Sequence, residues 1–197
     1  MDVSDPVGHM TTVTEFRANV LNSLNQLNAT LPVGSHVVFV GIVDGSILWK
    51  ILHNHMHPFG ITYSTLYTWL LCIQANPCTG WLNPNDTMRA MATQRAADLS
   101  AVYAEIVQTY ANAYKPTFDM AYYPFPLETI LNKWVQGGGQ PSDLIEPVDG
   151  FHPSQIFNAL LGQYLVAQLE QEHPTFLSPV NPNNAKIAAQ FGDQGGY

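Results

Sequence analysis

The sequence predicts a layered α/β fold in which helices cover a parallel sheet. Two apolar runs, at residues 36–43 and 118–123, predict strands, and apolar residues at helical spacing around them predict the covering helices. Such alternation is typical of layered α/β domains. A sheet of two strands, however, leaves both edges unpaired and buries little surface. We therefore expect an incomplete sheet: either strands are supplied from elsewhere, or the chain is the C-terminal part of a larger domain.

The first helix and strand follow from local patterns. Residues 12–15 have the Ser/Thr-x-x-Glu spacing of a capping box, and apolar residues then recur every three or four positions as far as Leu27. This predicts a helix that ends before Leu31. The run at 36–43 is β-branched and apolar on both faces, which predicts a strand covered on both sides and ended by Asp44-Gly45.

Residues 46–87 predict an irregular insertion. A short helix near 47–52 gives way to loops that are broken by proline and glycine and are rich in tryptophan and tyrosine. We expect these aromatic side chains in the core, or lining a groove for an acyl chain. They are Trp49, Tyr63, Tyr67, Trp69 and Trp81.

The second half predicts three more helices. A long one begins at Asp86 or Thr87, the next ends at the glycines 137–139, and the last has Pro153 in its first turn, where the missing N–H costs nothing. From residue 174 we expect an extended tail over the surface, because it is rich in proline, asparagine and glycine.

Composition excludes several classes of protein. The 197 residues suit one domain or part of one, and a hydrophobic share of 46% argues against disorder. No apolar stretch reaches the roughly 18 residues of a transmembrane segment. A net charge of −8 with no basic run argues against nucleic acid as a partner.

The signals for the cellular compartment are mixed. Residues 1–6 have no basic region and no apolar run, so they do not form a signal peptide. Sequons for N-glycosylation begin at Asn28 and Asn85, and Cys72 and Cys78 are spaced for a small disulfide-closed loop or are two unrelated buried thiols. Together they favour an oxidising compartment, so that we expect the full-length parent to be secreted, lysosomal or vesicular.

The strongest chemical signal is Asp149-Gly150-Phe151-His152, in a loop that opens a helix. A carboxylate three residues before a histidine can accept the Nδ1 hydrogen, which fixes the tautomer and leaves Nε2 to take a proton. Gly150 frees the backbone to bring the two side chains together. Because this spacing is common, the residues alone favour a plainer alternative, a helix-capping loop with a surface histidine.

The stretch resembles the last conserved block of the SGNH/GDSL hydrolases, where Asp-x-x-His supplies two of the three triad residues. It is most similar to one branch, the acyloxyacyl hydrolases, which are lipases that remove secondary fatty acyl chains from lipopolysaccharide and act on other acyl lipids. The resemblance extends over nearly the whole chain. The segments that carry it are residues 15–21, 32–41, 43–45, 144–153 and 191–196.

This resemblance implies a three-layer, flavodoxin-like SGNH fold of which residues 1–197 are the C-terminal portion. It implies that Asp149 orients His152 and that His152 is the general base for a serine, which attacks an ester carbonyl to give an acyl-enzyme that water hydrolyses. It also implies an acylated lipid as substrate, either lipopolysaccharide or phospholipid, and neither a metal nor a cofactor.

Two family blocks have no counterpart in the sequence: the Gly-Asp-Ser block with the nucleophile and the oxyanion-hole glycine block. A third block, Gly-x-Asn-Asp, resembles residues 1–4 with Met1 where the asparagine stands. We therefore expect the chain to start inside that block, to be inactive alone, and to need the missing N-terminal part of the same domain. The alternative is a catalytically inactive protein that binds lipid or a partner.

Two other constellations compete with this site. Ser46 follows the first strand, where an α/β hydrolase nucleophile would lie, but Asp44-Gly45-Ser46 lacks the Gly-x-Ser-x-Gly elbow of such a nucleophile. We therefore expect a turn at 44–46, with Asp44 as a possible lining residue of the site. His53, His55 and His57 would share one face of a strand, where they could bind zinc, but on a helix they fan out. The residues before them read as helical, so we expect no metal site.

Overall fold

The centre of the fold is a sheet of two parallel strands, β1 (Ser35–Val40) and β2 (Phe118–Tyr123). The structure is a computed structural model that describes residues 8–192. The register runs from Ser35 opposite Phe118 to Val40 opposite Tyr123. The bounds of β2 are those predicted, whereas β1 is shorter than the predicted 36–43. Strand β1 ends at Val40, just before Gly41, where an added Cβ would lie 3.0 Å from the backbone nitrogen of Phe125.

The structure contains seven α-helices within residues 8–192, and two short 3-10 helices lie at Pro141–Leu144 and Pro174–Phe176. The predicted α/β class is therefore confirmed, with a sheet that is incomplete for a layered domain. The α-helices are α1 (Val13–Thr30), α2 (Ser46–Leu52), α3 (Tyr63–Cys72), α4 (Asp86–Tyr114), α5 (Leu127–Gln136), α6 (Gln155–Glu172) and α7 (Asn184–Phe191).

Side-chain caps fix where these helices begin. Thr12 and Glu15 form the predicted capping box of α1, and Asn85 caps α4 by accepting from the N–H of the first turn. Ser154 caps α6, accepting from Phe157 N at 3.2 Å. The prediction that Pro153 lies in the first turn of α6 is wrong, because the cap places it just before the helix.

Helices α1 and α4 pack together against one face of the sheet. Leu24 on α1, Leu99 and Ile106 on α4, and Phe118 on β2 are all buried in one cluster, which Phe39 of β1 joins. The three- and four-residue spacing of these apolar side chains lets each helix turn a single stripe toward the sheet. This cluster anchors both strands.

The other face of β1 is only partly covered, which corrects the expectation of a strand buried on both sides. Val38 is 36% exposed, and His36 meets the tail by stacking on Phe176 with ring centroids 4.3 Å apart. The helices that cover the opposite face, α1 and α4, have no equivalent over this part of β1.

The segment 46–87 is more regular than predicted. It contains α3 as well as the expected α2, and it has its own core, in which Leu52, Tyr67, Trp81 and Leu82 are buried. Trp81 packs so closely on Gly45 that a Cβ there would lie 2.1 Å from its ring. The predicted core position of the aromatic residues holds for Tyr63, Tyr67 and Trp81, which are buried, whereas Trp69 is 57% exposed.

The tail from residue 174 is also less extended than predicted, because it contains a 3-10 turn and the exposed helix α7. Cys72 and Cys78 are not joined in a disulfide bond. Cys72 is exposed at the end of α3 while Cys78 is buried, so the two thiols occupy different environments. Within the described residues, no helix is both long and apolar enough to cross a membrane.

Candidate active site

Asp149 and His152 are brought together by the loop before α6. His152 Nδ1 donates to Asp149 Oδ2 at 2.7 Å, and the backbone N–H groups of Phe151 and His152 donate to Asp149 Oδ1 at 2.8 and 2.9 Å. One carboxylate oxygen is thus held by the imidazole and the other by the loop backbone. The Nδ1 contact assigns that proton to Nδ1 and leaves Nε2 as the ring's acceptor.

The backbone of residues 145–153 closes this loop on itself. Glu146 N donates to His152 O and Gly150 N donates to Glu146 O, each at 2.9 Å, while Ile145 and Pro153 form an antiparallel bridge. Gly150 has a φ of +62°, a backbone conformation that is unfavourable for residues with a side chain. Gly150 therefore allows the loop to bend so that the side chains of Asp149 and His152 meet.

The pair is accessible to solvent. The side chain of His152 is 67% exposed and that of Asp149 is 42% exposed. Burial raises the pKa of the Asp149 carboxyl, but hydrogen bonds from the His152 ring and from the backbone N–H of His152 and Phe151 outweigh it. The net pKa of Asp149 is lower than usual, which favours the ionised carboxylate that an orienting acid needs.

An apolar cavity of about 200 Å³ begins beside His152. Among the described residues that line it, His152 has the only titratable side chain. The remaining lining comes from the segment after β1, helices α2, α5 and α6, the loops before α4, α5 and α6, and the 3-10 helix at Pro141–Leu144. It includes Ile47, Leu48, Trp81, Phe125, Leu144 and Phe157.

Asp44 lines a neighbouring cavity and not the one that His152 lines. Its carboxylate accepts from the N–H and hydroxyl of Ser46, at 3.0 and 2.9 Å, and from the Thr93 hydroxyl at 2.6 Å. Ser46 is buried and pairs with Asp44, not with the imidazole. The predicted turn at 44–46 therefore starts α2 and ties it to α4.

The three alternating histidines lie in different environments. His53 Nδ1 bonds Trp49 O, His55 is exposed, and His57 is only 2% exposed. No group of three metal-binding side chains occurs in the part of the chain that the structure describes.

Sequence reasoning missed the residues that hold the Asp149 loop from outside. His57, Tyr63 and Tyr67 each contact a backbone carbonyl of residues 147–150. These partners are 83 to 91 positions apart in the chain. The sequence pattern indicated only that the tyrosines are core or groove residues, with nothing to link them to this loop.

Several sequence predictions stand apart from this geometry. Asn28 lies exposed on α1 and Asn85 is exposed as the cap of α4, and glycosylation of either stays a prediction. The resemblance of residues 1–4 to a family block, and that of residues 193–196, fall outside the described residues.

Comparison with known proteins gives close relatives. The chain is 41% identical over 201 residues to the mouse acyloxyacyl hydrolase, 41% over 199 residues to the human protein and 40% over 199 residues to the rabbit protein. Each alignment covers 98% of this chain but 34% of the relative, so the chain spans about a third of the relatives' length. No family model matches the sequence. Along nearly its whole length, then, this chain is a relative of the acyloxyacyl hydrolases, as its motifs predict.

Proposed function

We propose that this chain supplies the histidine and aspartate of a carboxylic-ester hydrolase that removes fatty acyl chains from lipopolysaccharide or a related acyl lipid. The observation that carries the proposal is the 2.7 Å bond between His152 Nδ1 and Asp149 Oδ2 at the mouth of an apolar cavity. The names of the mouse and human relatives support the same chemistry.

In this mechanism His152 acts as the general base. Its Nε2 takes the proton of a serine hydroxyl while the serine oxygen attacks the ester carbonyl, and it then gives that proton to the departing alcohol. Asp149 keeps Nδ1 protonated and stabilises the imidazolium that forms. Water, deprotonated by the same Nε2, then attacks the acyl-serine; the fatty acid is released and Nε2 returns the proton to the serine oxygen.

The apolar cavity is the proposed site for the acyl chain. A hydrocarbon tail loses contact with water when it enters a pocket lined by leucine, isoleucine, phenylalanine and tryptophan, and each buried methylene contributes roughly 0.8 kcal/mol. The ester group would then lie near His152, the polar side chain of the lining. Asp44, in the adjacent cavity, is a proposed contact for the polar part of the substrate.

The serine and the oxyanion donors are proposed to come from the rest of the parent domain. This follows from the family resemblance, in which both blocks precede the part matched here. It agrees with the placement of Ser46, whose hydroxyl is bonded to Asp44. The missing N-terminal part is thus the proposed partner of this chain, and the remaining strands of the sheet would come with it.

The test is His152→Ala in the complete enzyme. Deacylation should fall roughly 10⁴-fold or more, because the serine loses its base. The melting temperature should stay close to that of the wild type, since most of this side chain is exposed. His9→Ala, which removes another exposed histidine, is the matched control and should keep full activity. Retained activity in His152→Ala would refute the proposal.

A second candidate, a catalytically inactive lipid-binding protein, is favoured by the same cavity. A fluorophosphonate probe separates the two. Labelling that appears in the complete enzyme, and is absent when this chain is supplied alone, supports the shared active site. A complete enzyme that binds acyl lipid but is never labelled supports the binding protein.

We also propose a secreted or vesicular location for the parent, supported by the two exposed sequons. An endoglycosidase that removes N-linked glycans should increase the mobility of the cellular protein in a denaturing gel. Asn28→Gln with Asn85→Gln should abolish that change.

A further inference from the structure

Three side chains from one segment hold the backbone on both sides of Asp149. His57 Nε2 bonds Val148 O at 2.7 Å, Tyr63 Oη donates to Pro147 O at 2.5 Å, and Tyr67 Oη donates to Gly150 O at 2.6 Å. The donors lie within α3 or in the segment before it, where the sequence pattern predicts loops. The acceptors are the two residues before Asp149 and the one after it.

The donors are themselves fixed. Phe59 N–H donates to His57 Nδ1 at 3.1 Å, so the proton of this ring lies on Nε2 and points to Val148. His57 is 2% exposed, Tyr63 3% and Tyr67 0%. A buried hydroxyl or imidazole that loses its acceptor incurs a desolvation penalty, so each contact resists displacement of the loop.

The tyrosine rings also press directly on the loop at Gly150. A Cβ at this position would lie 2.5 Å from Tyr63 Cε1 and 2.7 Å from Tyr67 Oη. Only a glycine leaves room for both rings against the backbone. The same glycine has the positive φ that the turn needs, so loop shape and ring packing depend on each other.

We propose that His57, Tyr63 and Tyr67 are positioning residues that hold Asp149 in line with the imidazole of His152. Neither Asp149 nor His152 is immobilised by burial, since both side chains are exposed in this chain. Their geometry therefore depends on the loop backbone, and these three contacts connect that backbone to the core around Tyr67 and Leu52. Catalytic groups need such support to keep a productive geometry. The catalytic meaning of the inference rests on the proposed function, whereas the coupling of the contacts to the His152 ring does not.

The experiment compares Tyr63→Phe and Tyr67→Phe, singly and together, with Tyr114→Phe in the 197-residue chain. Each change removes one hydroxyl and keeps the ring. Tyr114 is a matched control because its buried phenol donates to Asn25 Oδ1 at 2.8 Å in the α1–α4 core, outside the loop contacts. A purely structural role predicts similar losses of stability and unchanged His152 signals in all variants.

Nitrogen NMR of the His152 ring, at about pH 9 where an ordinary imidazole is neutral, reports which nitrogen holds the proton. In the wild type we expect the Nδ1–H form, held by Asp149. In the tyrosine variants the ratio of Nδ1–H to Nε2–H should fall several-fold, and exchange of the Phe151 and His152 amide hydrogens should accelerate several-fold. Tyr114→Phe should leave both as in the wild type.

Unchanged ring and amide signals in both single variants would overturn the inference, and so would equal changes in Tyr114→Phe. If the double variant does not fold, the single variants decide. Because no activity is measured, the result is independent of the His152→Ala test of the proposed function.

Discussion

At the scale of single residues, two histidines of this chain have opposite environments. His57 is buried with both ring nitrogens engaged by backbone groups, which suits a structural role. His152 is exposed, has its Nδ1 bonded to a carboxylate, and lies beside an apolar cavity. The two residues are of the same type, so it is their environment that distinguishes the proposed base, His152, from His57, which positions the loop.

The ionised state of Asp149 should appear in the pH dependence of stability. Its folded-state pKa is lowered below the unfolded value of about 3.9, so its stabilising contribution is complete above that value. It is lost as the pH falls through the folded-state pKa. The free energy of unfolding of the wild type, relative to Asp149→Asn, should therefore decrease below about pH 4. Urea unfolding at several pH values measures this, and a difference that grows on acidification would contradict it.

Two glycines should respond oppositely to alanine. Gly150→Ala should destabilise by about 1 kcal/mol or more, because it combines a positive φ with contact to the Tyr63 ring. Gly162 lies in α6 with open space around its Cβ position, so Gly162→Ala should stabilise by about 0.5–1 kcal/mol. Chemical unfolding of both variants tests the pair. A Gly150→Ala chain as stable as the wild type would show that the turn accommodates a side chain, and a destabilised Gly162→Ala chain would contradict the open space in α6.

At the scale of elements, α4 is the main support of the fold. It spans the length of the sheet, packs with α1 against β2, and is tied to the start of α2 through Thr93 and Asp44. Helix α3, together with His57 in the segment between α2 and α3, in turn bonds the loop of Asp149. The site therefore depends on packing that begins at α4.

Leu99→Ala on α4 should reduce the free energy of unfolding by about 2–5 kcal/mol, since Leu99 is 0% exposed and its removal leaves a cavity. Met91, on the same helix, is 43% exposed, and Met91→Ala should change the free energy of unfolding by less than about 0.5 kcal/mol. Similar losses in urea unfolding would show that α4 does not pack as described.

Sequence patterns predicted the elements whose signals are local. The capping box at Thr12, the helical stripes of α1 and α4, and the bounds of β2 were all readable, since each depends on a few neighbouring residues. Helix α3 was missed because prolines and glycines surround a short apolar run. The Asp149–His152 spacing was readable, but its support by Tyr63 and Tyr67 was not, since it joins distant segments.

At the scale of the molecule, this chain is proposed to be part of a larger domain. Its two strands form a smaller sheet than layered domains need, and it matches about a third of each relative's length. The proposed N-terminal part would extend the sheet and bring the serine to His152. Stability and activity would then depend on the same association.

Adding the complementary N-terminal segment in trans should raise the melting temperature of this chain. Binding to the folded state alone stabilises it by mass action, so the increase should grow with the concentration of the segment. Thermal unfolding with and without the segment measures the effect. A melting temperature that does not change at any concentration would argue against a shared sheet.

Across residues 8–192, β1 pairs only with β2, so one row of its amide and carbonyl groups has no strand beside it. During synthesis these unpaired groups can form backbone hydrogen bonds with any extended polypeptide, including a second, newly made copy of this chain. Soluble yield should thus drop as expression is increased and recover when a polypeptide able to occupy that row is made in the same cell.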